Sequence, residues 1–238
     1  MSPHIETSVR QWLPGDEQGV WNVLKDGSYS LVSSTFKIGL QKSATKTFIF
    51  IFMCFIFLLQ LTIYQIIIAV LLYFIIVYFI SILGAIIYLH GSTLVDLEDM
   101  NKSYIEDPDN NFWVAVCDGE IGGTIAVIKK DFPPRGSPQA LIRNYQKLSK
   151  WDEKVAWLRR MAVSRKFRGY GLAKKLVSET ISFCKKRGYK KIFLITTEVH
   201  DAARKLYSKS GFKLCAVKPY KYMYGLVTVK TFEYEMYL

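Results

Sequence analysis

From Phe48 to His90 the chain runs for 43 residues without an Asp, Glu, Lys or Arg. Only Gln60, Thr62, Gln65 and Ser81 interrupt its apolar and aromatic side chains before the closing histidine. A helical crossing of a bilayer takes about 20 apolar residues, so the run has the length of two crossings joined by a tight turn. It starts too late and runs too long for a cleaved signal peptide. Nothing else in the chain could cover so much apolar surface if the run were a soluble core helix. The chain therefore divides into residues 1–47, a membrane-embedded helical hairpin over 48–90, and residues 91–238.

Charge is divided just as unevenly. Residues 1–47 carry five basic and four acidic side chains, whereas residues 91–238 carry 27 basic and 16 acidic. A basic soluble part suits an anionic cofactor, an anionic membrane surface or nucleic acid, and charge alone does not choose among them. The stretch YKYMYGLVTVK interleaves aromatic and basic residues as a nucleic-acid reader would. A membrane tether argues against that use. Cys54 lies in the apolar run, and Cys117, Cys184 and Cys215 have no paired or metal-ligand spacing, which predicts buried free thiols. His4, His90 and His200 are too scattered to nominate a metal site.

Along the chain, the pattern predicts a strand around Ile5–Trp12, a Pro-Gly turn, and an amphipathic helix from about Asp16 to Leu24 with Val20, Val23 and Leu24 facing inward. Lys37, Lys42 and Lys46 then lead into the apolar run. Beyond it, STLVDLEDMNKSYIED reads as a helix, or as a linker followed by one. NNFWVAVCDGEIGGTIAVIKK reads as a hairpin about Asp118-Gly119, the dipeptide that most readily supplies positive φ. Asp131–Lys154 reads as a polar, proline-interrupted loop, and VAWLRRMAV as the next strand. From Gly171 the positions Leu172, Leu176, Val177, Thr180, Ile181 and Cys184 recur at helical spacing until Gly188. A strand KKIFLITT, a short helix closed by Gly211, and β-rich runs around Lys213–Val217 and Val227–Tyr237 complete the order.

A strand, a glycine turn and a helix together aim free N–H groups and a positive helix end at an anion. Neither the P-loop string nor the dinucleotide-binding string occurs here. What does occur is Arg168-Gly169-Tyr170-Gly171-Leu172-Ala173 and, thirty-odd residues on, Ala203-Arg204-Lys205-Leu206-Tyr207-Ser208-Lys209-Ser210-Gly211-Phe212. These resemble the R-x-x-G-x-A and A-x-x-L-Y-x-K-x-G-F motifs of the GNAT superfamily of acyl-CoA-dependent N-acyltransferases. With VRQW, VWNVL, the apolar double span, DMNKSY and FWVA, the chain further resembles the camello-like, membrane-bound branch that includes cysteine-conjugate N-acetyltransferase. It departs at His200, where many members have Asn, and over Asp131–Lys154, where acceptor-binding loops usually sit.

The resemblance implies a GNAT fold, a mixed central sheet flanked by helices, with the hairpin inserted after the first β-α unit. It implies acetyl-CoA as co-substrate, with its pyrophosphate held by Arg168, Gly169, Tyr170, Gly171, Leu172 and Ala173. Pantetheine would lie along the strand through Met161, Ala162 and Val163, and Tyr207 would be the acid for the departing thiolate. Acyl transfer to an amine needs a neutral nucleophile, a polarised thioester carbonyl and a proton for the leaving group. Glu198 and Glu120 are the carboxylates placed to serve as base, Glu198 ahead, although a water chain could replace either. The expected acceptor is a small amino acid or cysteine S-conjugate, with protein amines at the membrane surface or a non-catalytic acyl-CoA sensor as alternatives. If the first β-α unit and residues 91–238 share one domain, the apolar run must enter the membrane and return, with Gln60, Thr62 and Gln65 the nearest polar candidates for the turn and the midpoint nearer Ala69. Lys37, Lys42 and Lys46 argue for a cytoplasmic catalytic side, and the resemblance suggests the endoplasmic reticulum.

Overall fold

The computed structural model describes residues 6–60, 62–129, 154–222 and 227–238. Strand β1 (Thr7–Gln11) is followed by α1 (Glu17–Tyr29) and α2 (Val32–Gln41), then by the apolar helices α3 (Ser43–Leu59) and α4 (Ile63–His90). A 3-10 turn (Ser92–Leu97) and α5 (Met100–Tyr104) lead to β2 (Asn111–Cys117), β3 (Glu120–Lys129) and β4 (Val155–Val163). After these come α6 (Leu172–Lys186), β5 (Lys191–Thr197), α7 (Asp201–Lys209), β6 (Lys213–Tyr222) and β7 (Val227–Tyr237). The seven strands form one sheet in the order β1-β2-β3-β4-β5-β7-β6. Every neighbouring pair is antiparallel except β4 with β5.

The middle of the sheet is buried on both faces. On one, Leu172, Leu176, Val177 and Cys184 of α6 pack with Trp113, Ile125 and Leu158; a large aliphatic side chain contributes roughly 1.5–3 kcal/mol when buried this way. On the other, Val20 and Leu24 of α1 meet Met100, Tyr104, Phe112 and Ala126. Arg10 fixes β1 to α1 through two hydrogen bonds to the Asp16 carboxylate, at 2.6 and 2.9 Å. Thus the segment before the apolar run and the segments after it form a single sheet.

Several elements differ from the sequence expectation. The first helix continues to Tyr29 and a second one, α2, follows it; the serine-rich DGSYSLVSST hides both, because Ser favours caps and turns. The C-terminal run at Lys213 extends through Pro219 to Tyr222, which an edge strand tolerates because proline's missing N–H is not needed there. Cys117 and Cys184 are buried free thiols as expected, but Cys215, on that edge strand, is exposed. The apolar run breaks at Gln60, among its polar candidates, rather than at its midpoint near Ala69. Gln60 adopts φ 47°, and Thr62 and Gln65 form a capping box at the start of α4, the Thr62 N–H donating to Gln65 Oε1 at 2.9 Å. The few polar residues of the run thus satisfy backbone groups where the helix stops.

Among the described residues one helix, α4, is long and apolar enough to cross a bilayer, at 28 residues and a peak mean hydropathy of 3.1. α3 is shorter, at 17 residues. Phe48 of α3 stacks on Tyr73 of α4 at 5.5 Å between centroids. From its middle to its C-terminus, α4 is docked on α2 and α1: Phe36 of α2 contacts Phe74 and Tyr78, and Trp21 of α1 meets His90 edge-on at 6.0 Å.

Gly122 in β3 has no room for a side chain, since a Cβ there would lie 2.7 Å from the Phe167 ring and 2.9 Å from Cys117 Sγ. Gly122→Val should therefore cost about 1–3 kcal/mol by overpacking. A lowered Tm in detergent solution would register it.

Candidate active site

Strand β4 pairs with β5 at Val155–Lys191, Ala156–Ile192 and Trp157–Phe193, and then the two part. From Leu158 to Val163 that edge of β4 has no strand partner among the described residues. A bulge sits at the parting: pairing with β3 steps from Ala126–Arg159 to Thr124–Ala162, and Arg160 takes φ 57°. The Thr124 hydroxyl donates to the Arg160 carbonyl at 2.8 Å. Arg160 is also held by its side chain, whose Nε donates to Asp96 Oδ2 at 2.9 Å and whose Nη2 reaches both Asp96 and the Thr93 carbonyl. Burial works to raise the Asp96 pKa, but the Arg160 hydrogen bonds and the Arg160 and Arg159 charges outweigh it and hold the carboxyl below its usual range.

The glycine turn follows directly. Asp26 of α1 accepts from the Ser164 hydroxyl, the Arg165 N–H and Arg165 Nε, at 3.0, 2.6 and 2.7 Å. Gly169 and Gly171 take φ 90° and 77°, conformations an L side chain resists, and a Cβ at either would meet nothing within 4 Å. The first bond of α6 is donated by Lys175 to the Gly171 carbonyl. Ahead of it, the N–H groups of Gly169 through Lys174 have no acceptor among the described residues. Arg168 does not project freely: its Nε donates to the Val163 carbonyl at 3.2 Å and its Nη2 to Ser30 Oγ at 2.7 Å.

Tyr207 on α7, the helix that follows β5, is buried among Phe212 and Tyr234, at 5.7 and 6.2 Å between ring centroids. Its hydroxyl has no hydrogen-bond partner among the described residues, and burial alone raises its pKa. Glu198, just past β5, is not a free base. It accepts from the Lys230 N–H at 3.1 Å and forms an ion pair with Lys42, at the junction of α2 and α3. Glu120 is exposed at the start of β3 and paired with Lys166. His200, at the head of α7, lies 2.8 Å from Thr197 Oγ1 through Nδ1, and burial beside Arg204 lowers its pKa to about 4. The expected acceptor loop, Asp131–Lys154, lies outside the described residues but for Lys154.

Met161, Ala162, Val163 and the six residues from Arg168 to Ala173 thus follow one another along a continuous open edge and turn. Sequence reasoning missed Asp26, Ser30, Lys42 and Asp96. Each is far in sequence from its partner, and no local pattern couples them. Residues 86–212 match the model of the Acetyltransferase (GNAT) family. The chain belongs to the GNAT family. Rat N-acetyltransferase 8 is 32% identical over 118 residues, covering 50% of this chain and 46% of that protein. N-acetylaspartate synthetase of Xenopus tropicalis is 32% identical over 139 residues, covering 58% and 44%. The zebrafish N-acetylaspartate synthetase is 26% identical over 208 residues, covering 86% and 66%. The chain therefore spans less than two thirds of the length of each of these curated relatives. A crystal structure of a GNAT-family acetyltransferase from Staphylococcus aureus Mu50 matches with TM-score 0.53 over 98% of this chain and 99% of that one, at 16% identity, which speaks to the fold alone.

GNAT acetyltransferases use acetyl-CoA, and this turn fits its pyrophosphate: the unpaired N–H groups, the helix N-terminus and the empty space over both glycines are what a phosphate approaching the backbone requires. Gly171→Val should weaken acetyl-CoA binding tenfold or more in calorimetric titration, both by filling that space and by straining φ 77°. Arg168→Ala should have a smaller effect, since Arg168 braces the turn through Val163 and Ser30.

His200 generates a pH prediction. It stays neutral in the folded chain down to about pH 4, whereas an unfolded histidine protonates near 6.5. The unfolded state therefore binds the extra proton, and stability falls as pH drops from about 6.5 toward 4. The loss should reach no more than about 3 kcal/mol from this group. His200→Asn should flatten that part of the Tm-against-pH profile.

Proposed function

We propose that the chain is a membrane-bound N-acetyltransferase that moves the acetyl group of acetyl-CoA to the amine of a small amino acid or cysteine S-conjugate, by direct attack in a ternary complex. The observation that carries this reading is the parting of β4 from β5 beside an unpaired glycine turn. Bound there, acetyl-CoA supplies an activated acyl group. The Gly169–Lys174 amides would hold its phosphates and the open β4 edge, kept in register by the Arg160 bulge, would orient its carbonyl. Tyr207, a buried phenol kept protonated, would donate a hydrogen bond to the sulfur as negative charge develops on it. Glu198, held by its ion pair with Lys42, would accept the amine's proton through a bridging water. The relatives named for N-acetylaspartate support an amino-acid acceptor.

Tyr207→Phe should lower kcat about 10- to 1000-fold with little change in acetyl-CoA affinity, because the hydroxyl acts on the leaving group rather than in binding. A parent protein that binds acetyl-CoA but acetylates no amine in a broad panel would instead point to an acyl-CoA sensor.

For the membrane we infer a re-entrant helical hairpin, α3 out and α4 back, inserted in the catalytic domain. Three observations support it. β1 shares the sheet with every later strand, so the chain must return to its starting side. Phe48 and Tyr73, which stack, lie nearly equally far from the break at Gln60. At 1.5 Å per residue, α3 is about 25 Å long, close to a bilayer's apolar thickness. Lys37, Lys42 and Lys46 favour a cytoplasmic catalytic side, in our reading at the endoplasmic reticulum. Tags at both termini should be digested together by protease outside sealed microsomes; protection of one tag alone would sink the hairpin.

A further inference from the structure

In a regular strand, consecutive side chains point to opposite faces. At the β4 bulge they do not. Arg159 and Arg160 both reach Asp96, Arg159 through Nη2 at 3.3 Å and Arg160 through Nε at 2.9 Å and Nη2. The site is enclosed, with the side chains of Arg160, Arg159 and Asp96 only 6%, 13% and 15% exposed. Asp96 also accepts from the Tyr104 hydroxyl, so both of its oxygens are fully engaged. Two guanidinium groups therefore share one carboxylate, which leaves one positive charge unbalanced in a poorly solvated place.

The surplus belongs to Arg159. Arg160 is committed to Asp96 and to the Thr93 carbonyl. Arg159 has a single long contact to Asp96 and lies over the Trp157 ring at 5.2 Å; its remaining donors have no acceptor among the described residues. A guanidinium carries five N–H donors in a fixed fork matched to a carboxylate, and an enclosed charge without a full partner is costly. Arg159 sits on the first residues of β4 past its last pair with β5, where the slot opens. Its partner Asp96 and the neighbouring Tyr104 lie on the α1 face, whereas Tyr207 belongs to the cluster on the α6 face.

We propose that Arg159 is the carboxylate anchor of the acceptor site. The free edge of its guanidinium takes the carboxylate of an amino-acid acceptor from the α1 face and leaves the acceptor's amine at the gap between β4 and β5. One surplus charge matches one carboxylate. Asp96 and Arg160, supplied by the segment after α4 and by the bulge, hold the fork in place. The proposal rests on the N-acetyltransferase reading above and adds the chemistry by which that site selects its amine.

The test uses two acceptors that differ only in the carboxylate, S-benzylcysteine and S-benzylcysteamine, with the full-length protein and its Arg159→Gln and Arg159→Lys variants. The preference for S-benzylcysteine, as a ratio of kcat/KM, should fall about ten- to hundredfold in Arg159→Gln, mainly through KM. Arg159→Lys should recover part of it, as a point charge without the fork. An unchanged acetyl-CoA Kd verifies that the variants are folded. A parallel loss for both acceptors, or an unaltered preference, would overturn the proposal. A second arm needs no turnover: S-benzylcysteine, and not S-benzylcysteamine, should raise the Tm of the CoA-loaded parent, and Arg159→Gln should abolish the difference. If the parent acetylates neither amine, the cysteine S-conjugate reading of the acceptor fails, and this arm still decides Arg159 by whether the carboxylate-dependent shift is present or absent.

Discussion

Three residue pairs hold β4 to β5, and then the strands part. That break in an otherwise continuous ladder is the constraint on which the rest of the site depends. An unpaired run of backbone N–H and C=O groups in a sheet centre has to find partners, and here the open edge of β4 is free for an extended ligand. The bulge at Arg160 maintains the opening: its φ of 57° is unfavourable for a non-glycine residue, and it persists because Asp96, Thr93 and Thr124 hold the residue from three sides.

The supports of the slot come from segments on either side of the apolar helices. Lys42 precedes α3 and pairs with Glu198 beyond β5, while Thr93 and Asp96 follow α4 and grip the bulge on β4. Ser30 and Asp26, at the end of α1, brace the glycine turn. Helix α2 runs from the Ser30 end of this framework to the Lys42 end, and its Phe36 rests on α4. The apolar helices are thus tied to the site at both ends, so displacement of α4 would be felt at Arg160 through side chains that are almost fully buried. Breaking such a buried pair leaves an uncompensated charge, at a cost of about 3–5 kcal/mol.

Local pattern carried much of this into view. The stripe Leu172, Leu176, Val177, Thr180 and Cys184 is buried on α6 as its spacing predicts. Asp118-Gly119 makes its turn with positive φ at both residues, and Gly188 and Gly211 follow the ends of their helices in left-handed conformations. These features are legible because they depend on neighbours a few residues apart. The break falls at Gln60, Thr62 and Gln65, the polar candidates for the turn, and not at the midpoint near Ala69, because a capping box there satisfies the backbone groups of the helix end.

The sequence by itself determined that the chain holds a long apolar segment, a basic C-terminal part, and a glycine turn that opens a helix, with a Tyr-bearing helix further on. Each of these follows from residue type and short-range spacing. Only the tertiary structure decided that Glu198 is paired with Lys42, that Arg168 braces the turn by bonding Val163 and Ser30, and that Arg159 and Arg160 face one carboxylate. Those partners lie between 5 and 156 residues apart in sequence. The reason is physical: the orientation of a charged side chain depends on which buried partner offers it the best-solvated substitute for water, and a partner that distant is chosen by sheet order and by the bulge, which no local pattern encodes.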